Sequence, residues 1–115
     1  MNNFLLLIKN RESHVKSLSP KQLGEQVIAL RNFIESQMSE GRLVIAYPLE
    51  MAGVIVSGSK GNFTEIRIDS EAELISAFYL VAAESLDAAV SFAKSDPRFD
   101  DSLWNMEVRP ILKAD

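Results

Sequence analysis

The chain has 115 residues, enough for one hydrophobic core but too few for two, so we expect a single domain spanning residues 1–115. Its 16 acidic and 12 basic residues give a net charge of −4, which argues against nucleic acid or an anionic membrane surface as the main partner. The absence of cysteine excludes disulfides, thiolate nucleophiles and cysteine metal sites. The apolar run at residues 4–8 is too short for a signal peptide or a membrane span, so a cytoplasmic protein is expected.

The first third of the chain predicts a strand, a loop, a helix and a second strand. Residues 4–8 are continuously apolar, as in a central strand covered on both faces, and the polar residues 10–17 indicate a loop. Ser19, Pro20 and Gln22 form a helix start with a capping box. An apolar stripe at three- and four-residue steps continues the helix: Leu23, Val27, Leu30, Ile34 and Met38. Gly41 ends the helix, and residues 43–47 read as the next strand.

The remainder predicts a hairpin followed by strand, helix and closing strand. Residues 52–56 and 63–68 are strand-like and are joined by a glycine-rich turn. Residues 77–83 indicate a buried strand, and Ser85 is placed to cap the helix that Pro97 ends. Residues 104–111 suit a closing strand at the sheet edge.

This order of elements predicts an α+β, ferredoxin-like β-α-β-β-α-β fold with an inserted β-hairpin. Two helices cover only one face of a four-stranded sheet, yet the predicted strands at residues 4–8, 43–47 and 78–83 carry few polar positions on either face. An apolar sheet face left uncovered in this way is an interaction surface. We therefore expect a homodimer that packs sheet on sheet.

Four segments of the chain resemble the YCII-related family, also called the DGPF-domain family. They are the opening NFLLLIKN, the helix end SEGRLV, the long segment AELISAFYLVAAESLDAAVSFAKSDP and the closing MEVRPI. The resemblance implies a ferredoxin-like fold that pairs into a dimeric α+β barrel. The Asp-Gly-Pro-Phe signature is missing, because Ile68-Asp69 leads directly into Ser70. The first-helix histidine that one branch of the family pairs with an aspartate is replaced by an apolar residue near Leu30, so that dyad does not carry over.

Each candidate ligand-binding residue also has an interpretation that involves no ligand. His14 is the only histidine and could act as an acid or base, although a solvated loop histidine is more common. Glu73 matches a glutamate of the family pattern, but its acidic surroundings are typical of a solvated turn. Arg109 could grip a carboxylate or phosphate, or equally pair with Asp69 or Glu73.

Tyr47 and Tyr79 could direct their hydroxyl groups into a cleft between sheet and helices, although buried tyrosines more often fill space and satisfy one hydrogen bond. One histidine without cysteine makes a metal site improbable, so we expect no metal and no cofactor.

Three functions follow from these observations, and the sequence assigns no catalytic residue. The first is a homodimeric protein that binds a small ligand in a sheet–helix cleft. The second is a small enzyme of the dimeric α+β barrel type with a carboxylate and arginine site. The third is a regulatory or structural interaction module.

Overall fold

The computed structural model describes residues 1–113 and contains six strands, three α-helices and one 3-10 turn. In chain order the elements are β1 (Asn2–Asn10), α1 (Glu12–Lys16), α2 (Pro20–Ser39), β2 (Leu43–Pro48), β3 (Val54–Ser59), β4 (Asn62–Arg67), β5 (Leu74–Ala83), α3 (Leu86–Lys94), the 3-10 turn Pro97–Asp100, and β6 (Asn105–Pro110). No helix within residues 1–113 combines the length and the apolar character needed to cross a membrane.

Strands β2, β5, β1 and β6 form an antiparallel sheet in that order, which is the strand order of a ferredoxin-like fold. The first strand lies in the centre of the sheet, where Leu6 faces Tyr79 on β5 and Val108 on β6. Strands β3 and β4 form a separate two-stranded hairpin. The predicted α+β fold with an inserted hairpin is therefore confirmed.

The helix starts follow the predicted capping chemistry. The Ser19 hydroxyl accepts a hydrogen bond from the Gln22 backbone N–H at 3.1 Å, and the Gln22 side chain accepts one from the Ser19 backbone N–H at 2.9 Å. The Ser85 hydroxyl likewise accepts from the backbone N–H of Ala88. Both serines satisfy N–H groups that a helix start leaves without an intrahelical partner.

The hydrophobic core lies between α2, α3 and one face of the sheet. Strands β1 and β5 supply alternate buried residues and α3 supplies three more, with Leu43 from β2: Phe4, Leu6, Ile8, Ala77, Tyr79, Val81, Ala83, Ala89, Phe92 and Ala93. Helix α2 buries no residue fully, and Leu23, Val27 and Met38 of the predicted stripe are exposed. Its contact with the core is made by Phe33 and Ile34.

The other face of the sheet is apolar and is not covered by a helix. Because side chains alternate along a strand, Leu5, Leu7, Phe78 and Leu80 project away from the core, and each is only half-buried. The hairpin β3–β4, which we call the arm, exposes apolar side chains on both of its faces. The radius of gyration is 16.1 Å, against about 13 Å for a compact chain of this length. The molecule is accordingly flat and extended.

Two local predictions differ from the structure. The stretch predicted as a loop contains the short helix α1, which begins without a side-chain cap at Arg11. The two central strands of the sheet are longer than the apolar runs that predicted them. Strand β1 continues through Asn10, and β5 begins at Leu74. Backbone pairing of Lys9 with Ile75 and of Asn10 with Leu74 extends both strands beyond these runs.

Candidate functional site

A buried polar cluster lies where the segment after α3 returns to the sheet. It consists of Tyr79 on β5, with Asp96 and Arg98 at the start of the 3-10 turn. Tyr79 is on the core side of β5 because it alternates with the half-buried Phe78 and Leu80. Pro97 begins the turn, and the Asp96 carboxylate caps it by accepting the Arg98 backbone N–H at 2.8 Å.

Three side-chain hydrogen bonds close the cluster into a triangle. The Tyr79 hydroxyl lies 2.9 Å from Asp96 Oδ2, and Arg98 Nη1 donates to the Tyr79 hydroxyl oxygen at 2.7 Å. The same Nη1 donates to Asp96 Oδ2 at 3.1 Å. The Asp96 side chain is fully shielded from solvent and that of Arg98 is 9% exposed. Two buried opposite charges are thus paired, as burial of charged groups requires.

The Arg98 guanidinium is flanked by two aromatic rings. Its Cζ lies 5.7 Å from the ring centroid of Tyr79 and 5.4 Å from that of Trp104, both within the range of cation–π attraction. The Trp104 Nε1 atom is buried, and it has no hydrogen-bond partner among residues 1–113. Polar character beside Arg98 therefore extends beyond the three clustered side chains.

The Tyr79 hydroxyl is held in its neutral form. Burial raises the pKa of Tyr79 well above its ordinary value, because the phenolate would lose its solvation. The neighbouring Asp96 acts in the same direction and Arg98 opposes both. The hydroxyl group of Tyr79 therefore keeps its hydrogen at neutral pH and can donate it.

A cavity of about 120 Å³ adjoins the cluster between α2 and the sheet. Tyr79 and Arg98 form part of its wall. The rest of the wall comes from α2 and from strands β2 and β5: Leu30, Ile34, Ala46, Tyr47, Pro48 and Ala77. A mainly apolar cavity with a few polar groups is the usual form of a small-molecule site. One of these wall residues is Leu30, the apolar residue near the position where one branch of the family has its first-helix histidine.

The predicted tyrosines both reach this cavity, although in different ways. Tyr79 is 1% exposed and contributes the buried hydroxyl of the cluster. Tyr47 borders the same cavity, but it is 59% exposed, and its ring lies 5.9 Å from that of Phe78 on the uncovered side of the sheet. Only the Tyr79 hydroxyl belongs to the cluster.

The other three predicted residues lie elsewhere. Glu73 Oε2 accepts a hydrogen bond from Asn105 Nδ2 at 2.8 Å. Arg109 pairs with Glu107 at 3.0 Å, its neighbour two positions along β6, and not with either of the carboxylates considered from sequence. His14 is on α1, with Nδ1 3.3 Å from the backbone oxygen of Leu103. Within residues 1–113, no hydrogen bond or ion pair joins these three side chains.

A larger groove of about 580 Å³ separates the arm from the sheet. Its polar lining includes Lys9 and Glu73, which are already bonded to Glu107 and Asn105 respectively. Its apolar lining includes Ile55 and Ile68 from the arm side and Ile75 from β5. Across the described part of the chain, no group of three or more His, Asp or Glu side chains is arranged to hold a metal ion. The buried cluster is therefore the stronger candidate site, although its cavity is smaller.

Sequence reasoning did not identify Asp96 and Arg98 as site residues. The available signal was the order Asp96-Pro97-Arg98, in which an aspartate before proline can cap a turn and places a charged side chain immediately afterwards. In the sequence, this segment predicts only the end of the preceding helix. The partner, Tyr79, is distant in sequence, so the triangle becomes visible only when the chain folds back onto the sheet.

Comparison with known proteins gives a family and a fold. A family model described as the YCII-related domain matches residues 2–113. Among solved structures, the chain resembles 5-chloro-2-hydroxyhydroquinone dehydrochlorinase (TftG) from Burkholderia phenoliruptrix, in complex with 2,5-dihydroxybenzoquinone. That match has 18% sequence identity and a TM-score of 0.59, and it covers 97% of this chain and 95% of the other. At this identity the likeness shows a shared fold. No curated protein sequence matches the chain.

Proposed function

The chain belongs to the YCII-related domain family, and we propose that it binds a small organic molecule in the cavity beside Tyr79, Asp96 and Arg98. The observation that supports this function is the contact between a buried, charge-bearing cluster and an otherwise apolar cavity. Engineered cavities of about 150 Å³ hold benzene, so a cavity of about 120 Å³ suits a molecule near the size of one six-membered ring.

The cluster is better suited to binding than to proton abstraction. A general base must have an oxygen or nitrogen available to the proton that it removes. The Asp96 oxygens already accept hydrogen bonds from Tyr79 and from the backbone and side chain of Arg98. The negative charge of Asp96 is therefore compensated within the protein and is not available to remove a proton from a ligand.

A small enzyme is the second candidate, because the structurally similar protein from Burkholderia phenoliruptrix is a dehydrochlorinase. In this chain, Arg98, positioned by Tyr79 and Asp96, would then hold an oxygen atom of the substrate. Incubation of the protein with halogenated and hydroxylated ring compounds, followed by product analysis, tests this candidate. Turnover that Arg98→Lys abolishes would favour the enzyme over a binding protein.

We further propose that the protein works as a homodimer formed through the uncovered sheet face and the arm. Isolated two-stranded hairpins are at best marginally stable in water, and this arm exposes Val56, Phe63 and Ile66. On the sheet, the row Lys9, Glu107 and Arg109 alternates in charge, so a two-fold axis can bring opposite charges together. A second copy of this chain fits such a self-complementary surface. A dimer would also account for a single-chain radius of gyration that exceeds the value for a compact chain of this length.

The test of ligand binding compares two leucine-to-phenylalanine variants on the same helix. Leu30 borders the cavity, whereas Leu23 is 38% exposed on α2 and is not part of its wall. A ring compound that binds the natural protein should lose affinity for Leu30→Phe and keep it for Leu23→Phe. At a hundred times its dissociation constant, a ligand should stabilise the natural protein by about 2.7 kcal/mol in a thermal-shift assay. Equal binding to both variants would remove the cavity from the function.

A further inference from the structure

The directions of the hydrogen bonds in the cluster follow from the guanidinium, which donates and never accepts. Arg98 Nη1 donates to the Tyr79 oxygen, so the single hydroxyl hydrogen of Tyr79 is free to point to Asp96 Oδ2 at 2.9 Å. Asp96, as a carboxylate, supplies no hydrogen of its own. Tyr79 therefore donates to Asp96 and accepts from Arg98.

The carboxylate accepts three hydrogen bonds in the same assignment. Asp96 Oδ1 accepts from the Arg98 backbone N–H, and Oδ2 accepts from the Tyr79 hydroxyl and Arg98 Nη1. The side chain has no solvent-exposed surface. A donor group on a ligand consequently finds no accessible acceptor in this carboxylate.

The remaining hydrogen-bonding capacity of the cluster consists of donors. Both side-chain hydrogen bonds of Arg98 use Nη1, which leaves Nε and Nη2 outside the triangle. The centre of the guanidinium lies 5.7 Å from the ring centroid of Tyr79 and 5.4 Å from that of Trp104, so the two rings help to hold it in place. Arg98 borders the cavity and is 8% exposed, so it is a charged residue that a molecule in the cavity meets.

The charge balance of the site also restricts the ligand. The Arg98 cation is already compensated by Asp96 at 3.1 Å, and no other charged residue among residues 1–113 lines the cavity. An anionic ligand would lose its hydration on entering the cavity. It would also come close to the Asp96 carboxylate, because Arg98 would have to pair with both anions. A cationic ligand would meet only hydrogen-bond donors in the cluster.

We propose that the ligand is an uncharged small molecule, near the size of a six-membered ring, that presents a carbonyl-type oxygen to Arg98. This inference depends on the proposed ligand-binding function and specifies the chemistry that the site selects. The apolar wall holds the ring, and Arg98 donates a hydrogen bond to the oxygen.

Three ring compounds of similar shape test this selectivity: cyclohexanone, the cyclohexylammonium ion and cyclohexanecarboxylate. Dissociation constants are measured by titration in ¹H–¹⁵N NMR spectra of the natural protein. Cyclohexanone accepts a hydrogen bond from Arg98 without the loss of ionic hydration that either ion would suffer, so it should bind about tenfold more tightly than either ion. Its addition should also shift the Arg98 Nε–H resonance, which a purely structural arginine would not show.

The possible outcomes separate the two proposals. If none of the compounds binds, the ligand-binding function fails and this inference fails with it. If the carboxylate binds as tightly as cyclohexanone, or if cyclohexanone binds without shifting Arg98, the function survives and the selectivity is wrong.

Arg98→Lys provides the variant test, because lysine keeps the positive charge but lacks the planar fork. The preference for cyclohexanone over the ions should disappear in this variant. If Arg98→Lys does not fold, Leu30→Phe should still abolish the binding of all three compounds. Unchanged binding to Leu30→Phe would place the compounds outside the cavity.

Discussion

The hydroxyl group of Tyr79 and the carboxylate of Asp96 lie 2.9 Å apart in the protein interior, although the two residues are 17 positions apart in the chain. The bond ties the sheet to the segment that follows α3. Arg98 binds both groups through Nη1, so each of the three side chains holds the other two in place. The same bonds that position Arg98 beside the cavity therefore also contribute to the stability of the fold.

Replacement of Tyr79 by phenylalanine should destabilise the protein by about 2 kcal/mol, because it removes a hydrogen-bonding group shared by two buried charges. The direct bond between Arg98 and Asp96 remains and limits the loss. Urea denaturation monitored through Trp104 would measure the change.

Tyr47→Phe is the matched control, because the same atom is removed from a ring that is 59% exposed. Its free energy of unfolding should stay within about 0.5 kcal/mol of the natural value. Equal effects of the two substitutions would show that the buried hydrogen bonds do not stabilise the fold.

The pair formed by Asp96 and Arg98 should show strong coupling. Arg98→Met leaves a shielded carboxylate without its cation, which typically costs about 3–5 kcal/mol. When Asp96→Asn is added, the unpaired charge disappears while the side-chain oxygen that caps the turn remains. The double variant should therefore be more stable than Arg98→Met alone. Additive losses in a double-mutant cycle would contradict the assignment of a tightly coupled buried pair.

The arm should contribute to self-association. Phe63 is 60% exposed on β4, and its burial by a second copy would contribute up to about 3 kcal/mol. Phe63→Ser should therefore raise the dissociation constant of the dimer by tenfold or more, on the order expected from that burial. Sedimentation velocity over a range of concentrations would measure the change.

Leu86→Ser serves as the control for association, because Leu86 is 47% exposed on α3, which covers the opposite face of the sheet. Its dimer should resemble that of the natural protein. A natural protein that sediments as a monomer at micromolar concentration would exclude the proposed dimer.

Glu107 should make the folded state sensitive to acid. A hydrogen bond from Lys9, followed by one from Arg109, lowers the pKa of Glu107 below its ordinary value. The folded state therefore binds this proton less readily than the unfolded state does. The resulting stabilisation is present above the unfolded-state pKa and is lost as the pH falls through the folded-state pKa.

Glu107→Gln should accordingly flatten the acid side of the curve of stability against pH. Glu35→Gln removes an exposed carboxylate of α2 and should change this curve less. Urea midpoints measured from neutral to acidic pH would compare the two variants. Identical acid limbs for the natural protein and Glu107→Gln would show that the bonds to Lys9 and Arg109 have no net effect.

The parts of the fold that sequence could predict are those set by local chemistry. The capping box at Ser19 and the apolar runs of β1 and β5 are visible in short windows, because caps and buried strands have characteristic residues. Helix α1 was wrongly predicted as a loop, since five mostly polar residues without a side-chain cap give no periodic signal.

The site was only partly predictable. Tyr79 could be proposed because a tyrosine in a buried strand needs a partner for its hydroxyl. That partner depends on how the chain reverses after α3, which no local pattern determines. Arg109 illustrates the opposite difficulty, because its carboxylate partner is Glu107, two positions away on the same side of β6, where strand geometry brings alternate side chains together.

The central place of β1 in the sheet also determines when the protein can fold during synthesis. This strand is synthesised before its neighbours β5 and β6, and Phe4 is paired with Pro110 on β6. Until those strands are made, the apolar side chains of β1 have no sheet to join. A nascent chain of this protein must therefore keep the apolar side chains of β1 soluble until β5 and β6 have been synthesised.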